Sequence, residues 1–301
     1  MWKSLLLGGA LSLALAACSS SQAPAGSAAG TAAASTASTA PAGSVAAPAV
    51  TTSTAGAASV AASASTAVSS VSPSPADSGG GTPVAPPVDT GQWVEGKNYF
   101  RIEPALPTDH PSHVVVTEVF SWGCPACNQF QPYADLIRKS LPAYVHWQYV
   151  PAAFIPPEDW PLFQRAYYTA QALGLDNPTT HDAMFKAIWT PDGPLNTYTG
   201  LGTANPRVKQ NLPTLADVAR FYARYGTDPK TFEATAQSFA VNARMKRADQ
   251  LIKAYGVDST PTIVVNGTYR LNVASAGGLA KTQQLVHYLA QKEAAAMHLK
   301  Q

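Results

Sequence analysis

A strongly β-forming run that leads directly into a pair of cysteines is the feature that most constrains this fold. Residues 114–120 are almost continuously apolar, which is typical of a strand buried on both faces. Cys124 and Cys127 follow this run, and residues 128–140 then have the pattern of a helix. Residues 145–150 are again β-forming. The order predicts a strand–helix–strand unit with both cysteines at the strand-to-helix turn.

Helical patterns occupy most of the chain between this unit and a second β-forming region. The other predicted elements are a first strand at 98–103, helices at 159–174, 179–189, 214–226 and 228–256, a hairpin with strands at 262–265 and 268–271 around Asn266-Gly267, and a last helix at 278–297. Residues 190–213 are rich in Pro, Gly, Asn and Thr, and they are predicted to form a long loop. The predicted class is α/β, a thioredoxin fold with a helical insertion at about 155–256.

The first 18 residues are predicted to be an export signal rather than part of the fold. Lys3 precedes an apolar stretch from Leu5 to Ala17, which is too short to span a bilayer as a permanent helix. The stretch ends in Leu-Ala-Ala-Cys18, which resembles the bacterial lipobox. We therefore expect cleavage before Cys18 and lipidation of that cysteine. The alternative is an ordinary signal peptide in which Cys18 is incidental.

Residues 19–91 are predicted to be a disordered tether that precedes the folded domain at 92–301. They contain no aromatic residue, no Lys and no Arg, so they have too little apolar surface to offset the entropy of ordering them. The whole chain has 301 residues and a formal net charge of only +2, without basic clusters. This charge distribution does not provide the basic surface that nucleic-acid binding requires.

The two cysteines that remain after Cys18 are suited to disulfide chemistry. A thiol at a helix N-terminus is stabilised as the thiolate by free backbone N–H groups and by the helix dipole. We therefore expect Cys124 to be the nucleophile and Cys127 the resolving thiol, with no cofactor. The alternative is half of a zinc site, but the chain lacks a second pair of ligands at suitable spacing, so no metal is predicted. The histidines are expected at the surface or at sheet edges: His110, His113, His146, His181, His287 and His298.

Two further residues are predicted to surround the cysteine pair. Glu118 lies inside the apolar run at 114–120, where a carboxyl group is costly unless it is protonated, paired or hydrated. It could lie beneath the cysteines with a raised pKa and accept the proton of Cys127, or it could face solvent at an edge. Pro261 stands where a central strand should begin, which a cis Thr260–Pro261 bond would explain, although a trans proline could also open the strand.

Three segments together resemble the DsbA-like family of thiol–disulfide oxidoreductases. They are Glu118-Val-Phe-Ser-Trp-Gly-Cys-Pro-Ala-Cys127, Gly256-Val-Asp-Ser-Thr-Pro-Thr262 and Val265-Asn-Gly-Thr-Tyr-Arg-Leu-Asn272. The resemblance covers about residues 92–295 and implies a periplasmic protein. The lipobox-like sequence before Cys18 predicts lipid anchoring, and a disordered tether in place of the folded dimerisation domain of related isomerases favours a monomer. It implies that the disulfide of Cys124 and Cys127 oxidises reduced secreted proteins, and that a DsbB-like quinone-linked membrane oxidase regenerates it. The roles of nucleophile, resolving thiol, proton acceptor and cis-proline would then belong to Cys124, Cys127, Glu118 and Pro261, with Thr260 beside the substrate.

The chain departs from the family pattern in ways that bear on whether it oxidises, isomerises or reduces its substrates. Typical members have Pro-His between the cysteines, whereas this chain has Pro125-Ala126. Without a cationic histidine the Cys124 thiolate is less stabilised, which predicts a weaker oxidant. Thr260 replaces the usual Val, as in the isomerase branch, and the loop at 190–213 is longer than in typical members. A disulfide isomerase or reductase of the same fold is therefore the alternative function. A non-catalytic lipid-anchored binding protein is a further one.

Overall fold

The computed structural model describes residues 81–301, and its centre is a mixed five-stranded sheet. The strands are β1 (Phe100–Arg101), β2 (Val114–Phe120), β3 (Val145–Pro151), β4 (Tyr198–Thr199), β5 (Arg207–Val208), β6 (Thr262–Val265) and β7 (Tyr269–Asn272). The order across the main sheet is β1-β7-β6-β2-β3. Only β2 and β3 run parallel, since β6, β7 and β1 are joined by antiparallel pairings. A helix that connects two parallel neighbours is the expected crossover.

The central position of β2 explains its apolar sequence. It pairs with β3 on one side and with β6 on the other, and every residue of the strand is buried. The turn between β6 and β7 is the predicted hairpin, in which Asn266 and Gly267 both have positive φ, 53° and 63°. A side chain at Gly267 would collide with the Leu106 carbonyl oxygen, so the chain packs closely against this turn.

Helices cover both faces of the main sheet. They are α1 (Pro125–Ser140), α2 (Trp160–Ala172), α3 (Pro178–Trp189), α4 (Leu215–Ala223), α5 (Pro229–Ala236), α6 (Phe239–Ala254), α7 (Val273–Ala276) and α8 (Leu279–Ala296), and a short 3-10 turn spans Pro156–Glu158. The helices α2 to α6 lie between β3 and β6, which agrees with the predicted helical insertion. Their starts follow local rules: the Thr214 hydroxyl accepts from the N–H of Asp217, and the Asp228 carboxylate accepts from that of Thr231.

Two apolar clusters form the core. One joins Phe130, Ala134 and Ile137 of α1 to buried residues of α8 and of the strands β2, β6 and β7. The other joins the last residues of β2 to the inserted helices, with Phe120 and Trp122 at its centre. The cysteine turn follows β2 directly, so it lies where the sheet meets the helical insertion.

The folded part begins earlier than residue 92, where the sequence analysis placed it. The Val84 side chain is 5% exposed and belongs to the core cluster, and the N–H of Val84 donates to the carbonyl oxygen of Leu299 at 2.8 Å. The N–H of Gln301 donates in turn to the Thr82 carbonyl oxygen. The composition of this segment does not predict the contact, because one buried valine and a few backbone hydrogen bonds are enough to fix the segment against the C-terminal residues.

Other expectations concern parts of the chain outside the described residues. The predicted signal at 1–18, the lipidation of Cys18 and most of the predicted tether lie there. Within residues 81–301, no helix is both long enough and apolar enough to cross a bilayer. In the predicted loop at 190–213, β4 and β5 pair as a small antiparallel hairpin that the sequence analysis did not anticipate.

Candidate active site

The two cysteines lie at the first turn of α1, in the dithiol form. Cys124 is the N-cap residue, and its sulfur accepts a hydrogen bond from the backbone N–H of Cys127 at 3.3 Å. Pro125 occupies the first helical position, where the absent N–H costs no hydrogen bond. Cys124 is 4% exposed and Cys127 is fully buried. Only the sulfur of Cys124 is therefore placed to meet a molecule from outside.

The surroundings of the two thiols shift their pKa values in opposite directions. A hydrogen bond from the Cys127 thiol lowers the pKa of Cys124 to about 6, against the opposing effect of burial. The Thr260 side chain and the backbone N–H groups of Cys127 and Ala126 lower it further. Burial raises the pKa of Cys127 well above its ordinary value, and the neighbouring Cys124 and Glu118 add to this. The pair can therefore hold one thiolate, at Cys124, and one proton, at Cys127.

Glu118 lies inside the sheet, and its predicted burial is confirmed. The residue is 1% exposed, and its Oε2 has no hydrogen-bond partner within residues 81–301. It pairs across the sheet with Tyr149 of β3 and Ile263 of β6, on the face that α1 covers. Burial, followed by the charge of Cys124, raises its pKa to about 8. A carboxyl group with this pKa can exchange a proton near neutral pH.

The loop before β6 forms another side of the site. The Thr260–Pro261 peptide bond is cis, as the sequence analysis expected. The Cys124 thiol donates to the carbonyl oxygen of Thr260 at 3.5 Å. The fold therefore brings residues 124 and 260 together although they are far apart in the sequence.

His181 is buried, which contradicts its expected place at the surface or at an edge. It stacks on Tyr149 with ring centroids 4.3 Å apart, and it contacts Phe120 and Trp122. Neither ring nitrogen has a hydrogen-bond partner in the described part of the chain, and burial lowers the pKa of His181 to about 3. Both His181 and Tyr149 line a cavity of about 310 Å³ beside α1. Met184, Phe185 and Ile188 follow His181 at three, four and seven positions in α3, and this spacing was the signal that could have predicted its burial.

Aromatic residues around the cysteine turn were missed by the sequence analysis. Trp160 of α2 packs against Gly123, where an added Cβ would lie 2.7 Å from the indole Cδ1. Trp189, at the end of α3, donates from Nε1 to the carbonyl oxygen of Trp122 at 2.8 Å. Tyr198 of β4 stacks on Trp189, with ring centroids 5.4 Å apart. No local pattern marks these residues, because they meet only through the packing of three separate elements.

The geometry is that of a thiol–disulfide exchange site. Residues 81–301 contain no group of three or more His, Cys, Asp or Glu side chains arranged to hold a metal ion. The structure places Glu118, Cys124, Cys127, Thr260 and Pro261 around one point at the end of β2. A thiolate at Cys124 is the group that exchange between sulfur atoms requires, and the carboxyl group of Glu118 lies close enough to the pair to influence the pKa of Cys127.

Solved structures and curated relatives resemble this chain over its folded part. No protein-family model matches the chain. The crystal structure of Pseudomonas aeruginosa DsbA matches with a TM-score of 0.58 and 33% identity, covering 69% of this chain and 97% of that one. The oxidoreductase DsbA from Xylella fastidiosa matches with a TM-score of 0.58 and 29% identity, covering 68% of this chain and 99% of that one. These matches agree with the predicted thioredoxin fold.

Curated relatives carry the same name. The thiol:disulfide interchange protein DsbA of Pseudomonas aeruginosa is 33% identical over 204 residues, which are 68% of this chain and 87% of the relative. The protein of that name from Azotobacter vinelandii is 33% identical over 201 residues, 67% of this chain and 85% of the relative. With this identity over two thirds of its length, the chain belongs to the DsbA family of thiol:disulfide oxidoreductases.

Proposed function

We propose that Cys124 and Cys127 form the disulfide that this oxidoreductase donates to reduced cysteines of exported proteins. The observation that carries this assignment is the asymmetry of the pair: the pKa of Cys124 is lowered to about 6, whereas that of the buried Cys127 is raised. A sulfur atom with a low pKa is a good leaving group. Release of Cys124 from a mixed disulfide is therefore favoured, which is the direction of an oxidase.

The exchange balances with two substrate thiols. A substrate thiolate attacks the sulfur of Cys124, the bond to Cys127 breaks, and Cys127 leaves and takes the proton of Glu118. A second substrate thiolate then attacks the substrate sulfur of the mixed disulfide, and Cys124 leaves as a thiolate. The substrate loses two electrons and gains a disulfide, and the enzyme ends reduced, with a thiol at Cys127, a thiolate at Cys124 and an ionised Glu118. During regeneration Glu118 accepts the proton of Cys127, so it serves in both directions.

The loop that contains Thr260 and Pro261 is proposed to position the substrate. The carbonyl oxygen of Thr260 lies 3.5 Å from the sulfur of Cys124. An extended substrate segment that reaches Cys124 must pass this loop, whose backbone groups can pair with it as an added strand would.

The proposed cellular setting is the periplasm, with the domain anchored by lipid at Cys18 as a monomer. The proposed partners are reduced secreted proteins and a DsbB-like quinone-linked oxidase that restores the disulfide. These assignments are supported by the apolar N-terminal stretch and by the family to which the chain belongs. Radioactive acyl-chain labelling checks the anchor: the label should be lost in Cys18→Ala, and a label that persists in this variant refutes lipidation at Cys18.

The exchange itself is tested with the purified oxidised protein and a reduced, unfolded substrate that contains several cysteines. Substrate disulfides should form as the enzyme becomes reduced, and Cys124→Ser should abolish the reaction. Cys127→Ser, given the same substrate in its disulfide form, should accumulate mixed disulfides, because Cys124 attacks the substrate disulfide and no resolving thiol releases it. An enzyme disulfide that stays intact, with no substrate oxidised, refutes the proposal. Equilibration with a glutathione buffer distinguishes an oxidase from the alternative isomerase or reductase, because a strongly reducing potential would contradict the oxidase direction.

A further inference from the structure

The hairpin of β4 and β5 lies beside the cysteine pair, yet the exchange of sulfur bonds requires nothing from it. It belongs to the segment 190–213, which contains Arg207 and Lys209 but only Asp192 as an acidic residue. The N–H of Lys209 donates to the carbonyl oxygen of Thr197 at 2.8 Å, next to the strand pairing. The segment is therefore an ordered surface of the site.

Contacts through Trp189 fix the position of this hairpin relative to the cysteines. The Trp189 indole donates to the carbonyl oxygen of Trp122 at 2.8 Å, and Trp122 lies two residues before Cys124. The Tyr198 ring stacks on Trp189 at 5.4 Å between centroids, with 26° between the ring planes. Tyr198 is thus connected to the cysteine turn through a single intervening side chain.

A second set of contacts holds Tyr198 from the side of α2. The Glu158 carboxylate accepts from Nε1 of Trp160 at 3.2 Å, and it also interacts with the Tyr198 hydroxyl. Burial and then Glu158 raise the pKa of Tyr198, and the charge of Cys124 contributes as well. Tyr198 is therefore within electrostatic range of the reactive sulfur.

A polypeptide that reacts at Cys124 must contact the residues that surround this cysteine. Cys124 is only 4% exposed, so the residues that flank a substrate cysteine have to lie against the surrounding surface. Trp189 and Tyr198 are half-buried, which leaves part of each ring accessible to such a residue. Phe154 and Ile155, 38% and 37% exposed, extend this apolar surface beyond Trp160, on which the Phe154 ring packs.

We propose that Trp189 and Tyr198, here called the aromatic platform, bind an apolar or aromatic side chain next to the reacting cysteine of a reduced substrate polypeptide. The proposal rests on the proposed function, since it takes Cys124 as the attacked sulfur. A ring packed on another ring gains about two- to tenfold in affinity beyond the area that it buries. The platform would therefore make this enzyme favour cysteines that have large apolar neighbours.

Photo-crosslinking in the full-length Cys127→Ser variant tests the contact directly. A peptide with one cysteine and an adjacent benzoyl-phenylalanine is supplied as its disulfide with 2-thiopyridine. The Cys124 thiolate attacks the peptide sulfur, pyridine-2-thione leaves, and the resulting mixed disulfide is irradiated and analysed by mass spectrometry. Crosslinks to Trp189 or Tyr198 are expected. Crosslinks confined to other elements, such as residues 259–262, overturn the platform while leaving the exchange chemistry intact. If no mixed disulfide forms, the proposed function fails, and the platform fails with it.

Substrate preference gives an independent test with the oxidised full-length protein. We expect kcat/KM to be about three- to tenfold higher for a peptide with Phe beside its cysteine than for the matched Ser peptide. Tyr198→Ala should remove this preference, and Tyr198→Phe, which keeps the ring, should retain it. Phe239→Ala is the matched control, because Phe239 is 87% exposed at the start of α6. An unchanged ratio between the two peptides in Tyr198→Ala refutes the proposal.

Discussion

Replacing Glu118 by Gln should stabilise the folded protein, by an amount that grows with pH. The ordinary pKa of the carboxyl group, 4.5, is raised to about 8 by burial and then by the charge of Cys124. As pH rises through 4.5 the unfolded chain releases this proton, whereas the folded protein keeps it until about pH 8. The contribution of Glu118 to wild-type stability is therefore most favourable below pH 4.5 and declines between the two values. The cost is about 1 kcal/mol at pH 5 and about 3 kcal/mol at pH 7.

Urea unfolding of the dithiol forms across pH 4 to 8 measures this effect. At pH 4 the carboxyl group is protonated in both states, so the variant and the wild type should differ little there; this pH is the internal control. The free energy of unfolding of Glu118→Gln should then exceed that of the wild type increasingly, by about 3 kcal/mol at pH 7. A difference that is the same at pH 5 and pH 7 would refute the reasoning, because it would mean that Glu118 ionises in the folded protein as it does in the unfolded chain.

Three further substitutions test other parts of the site. Thr260→Val should raise the pKa of Cys124 above about 6, since the Thr260 side chain helps to lower it; ultraviolet thiolate absorbance measures this, and an unchanged titration contradicts it. Gly123→Ala should cost about 1–3 kcal/mol in urea unfolding, because the new Cβ would lie 2.7 Å from Trp160; equal stability would show that the indole can move aside. The pKa of His181 is lowered to about 3 from 6.5, so the wild type should lose about 2 kcal/mol by pH 5 as its unfolded chain gains a proton. His181→Phe should lack this loss, and parallel pH profiles would argue against a neutral buried imidazole.

Local rules predicted the elements that local physics controls. The apolar run at β2 predicted a strand buried on both faces, and Asn266-Gly267 predicted the hairpin turn, whose positive φ values few other residues tolerate. The helix starts at Thr214 and Asp228 followed from their capping side chains. The burial of Glu118 could be predicted because a carboxyl group within such an apolar run has few other places to lie.

Long-range packing controlled what the sequence analysis missed. Val84 looked like part of the low-complexity tether, but it belongs to the core because the C-terminal residues offer it backbone partners. His181 looked like a surface histidine, although aromatic rings from β2, β3 and α3 enclose it. The pairing of β4 with β5 has little local signal, since each strand has only two residues.

By itself the sequence determined the chemistry: two cysteines at a strand-to-helix turn, an acid in the strand before them and a proline before a later strand. These signals are local, since capping, strand burial and proline geometry depend on neighbouring residues. The tertiary structure decided how different the two thiols are, because burial, a hydrogen bond from Thr260 to Cys124 and the charge of Glu118 near Cys127 act across distant parts of the chain. It also decided which surface a substrate meets, since Trp189 and Tyr198 reach the cysteines only through packing.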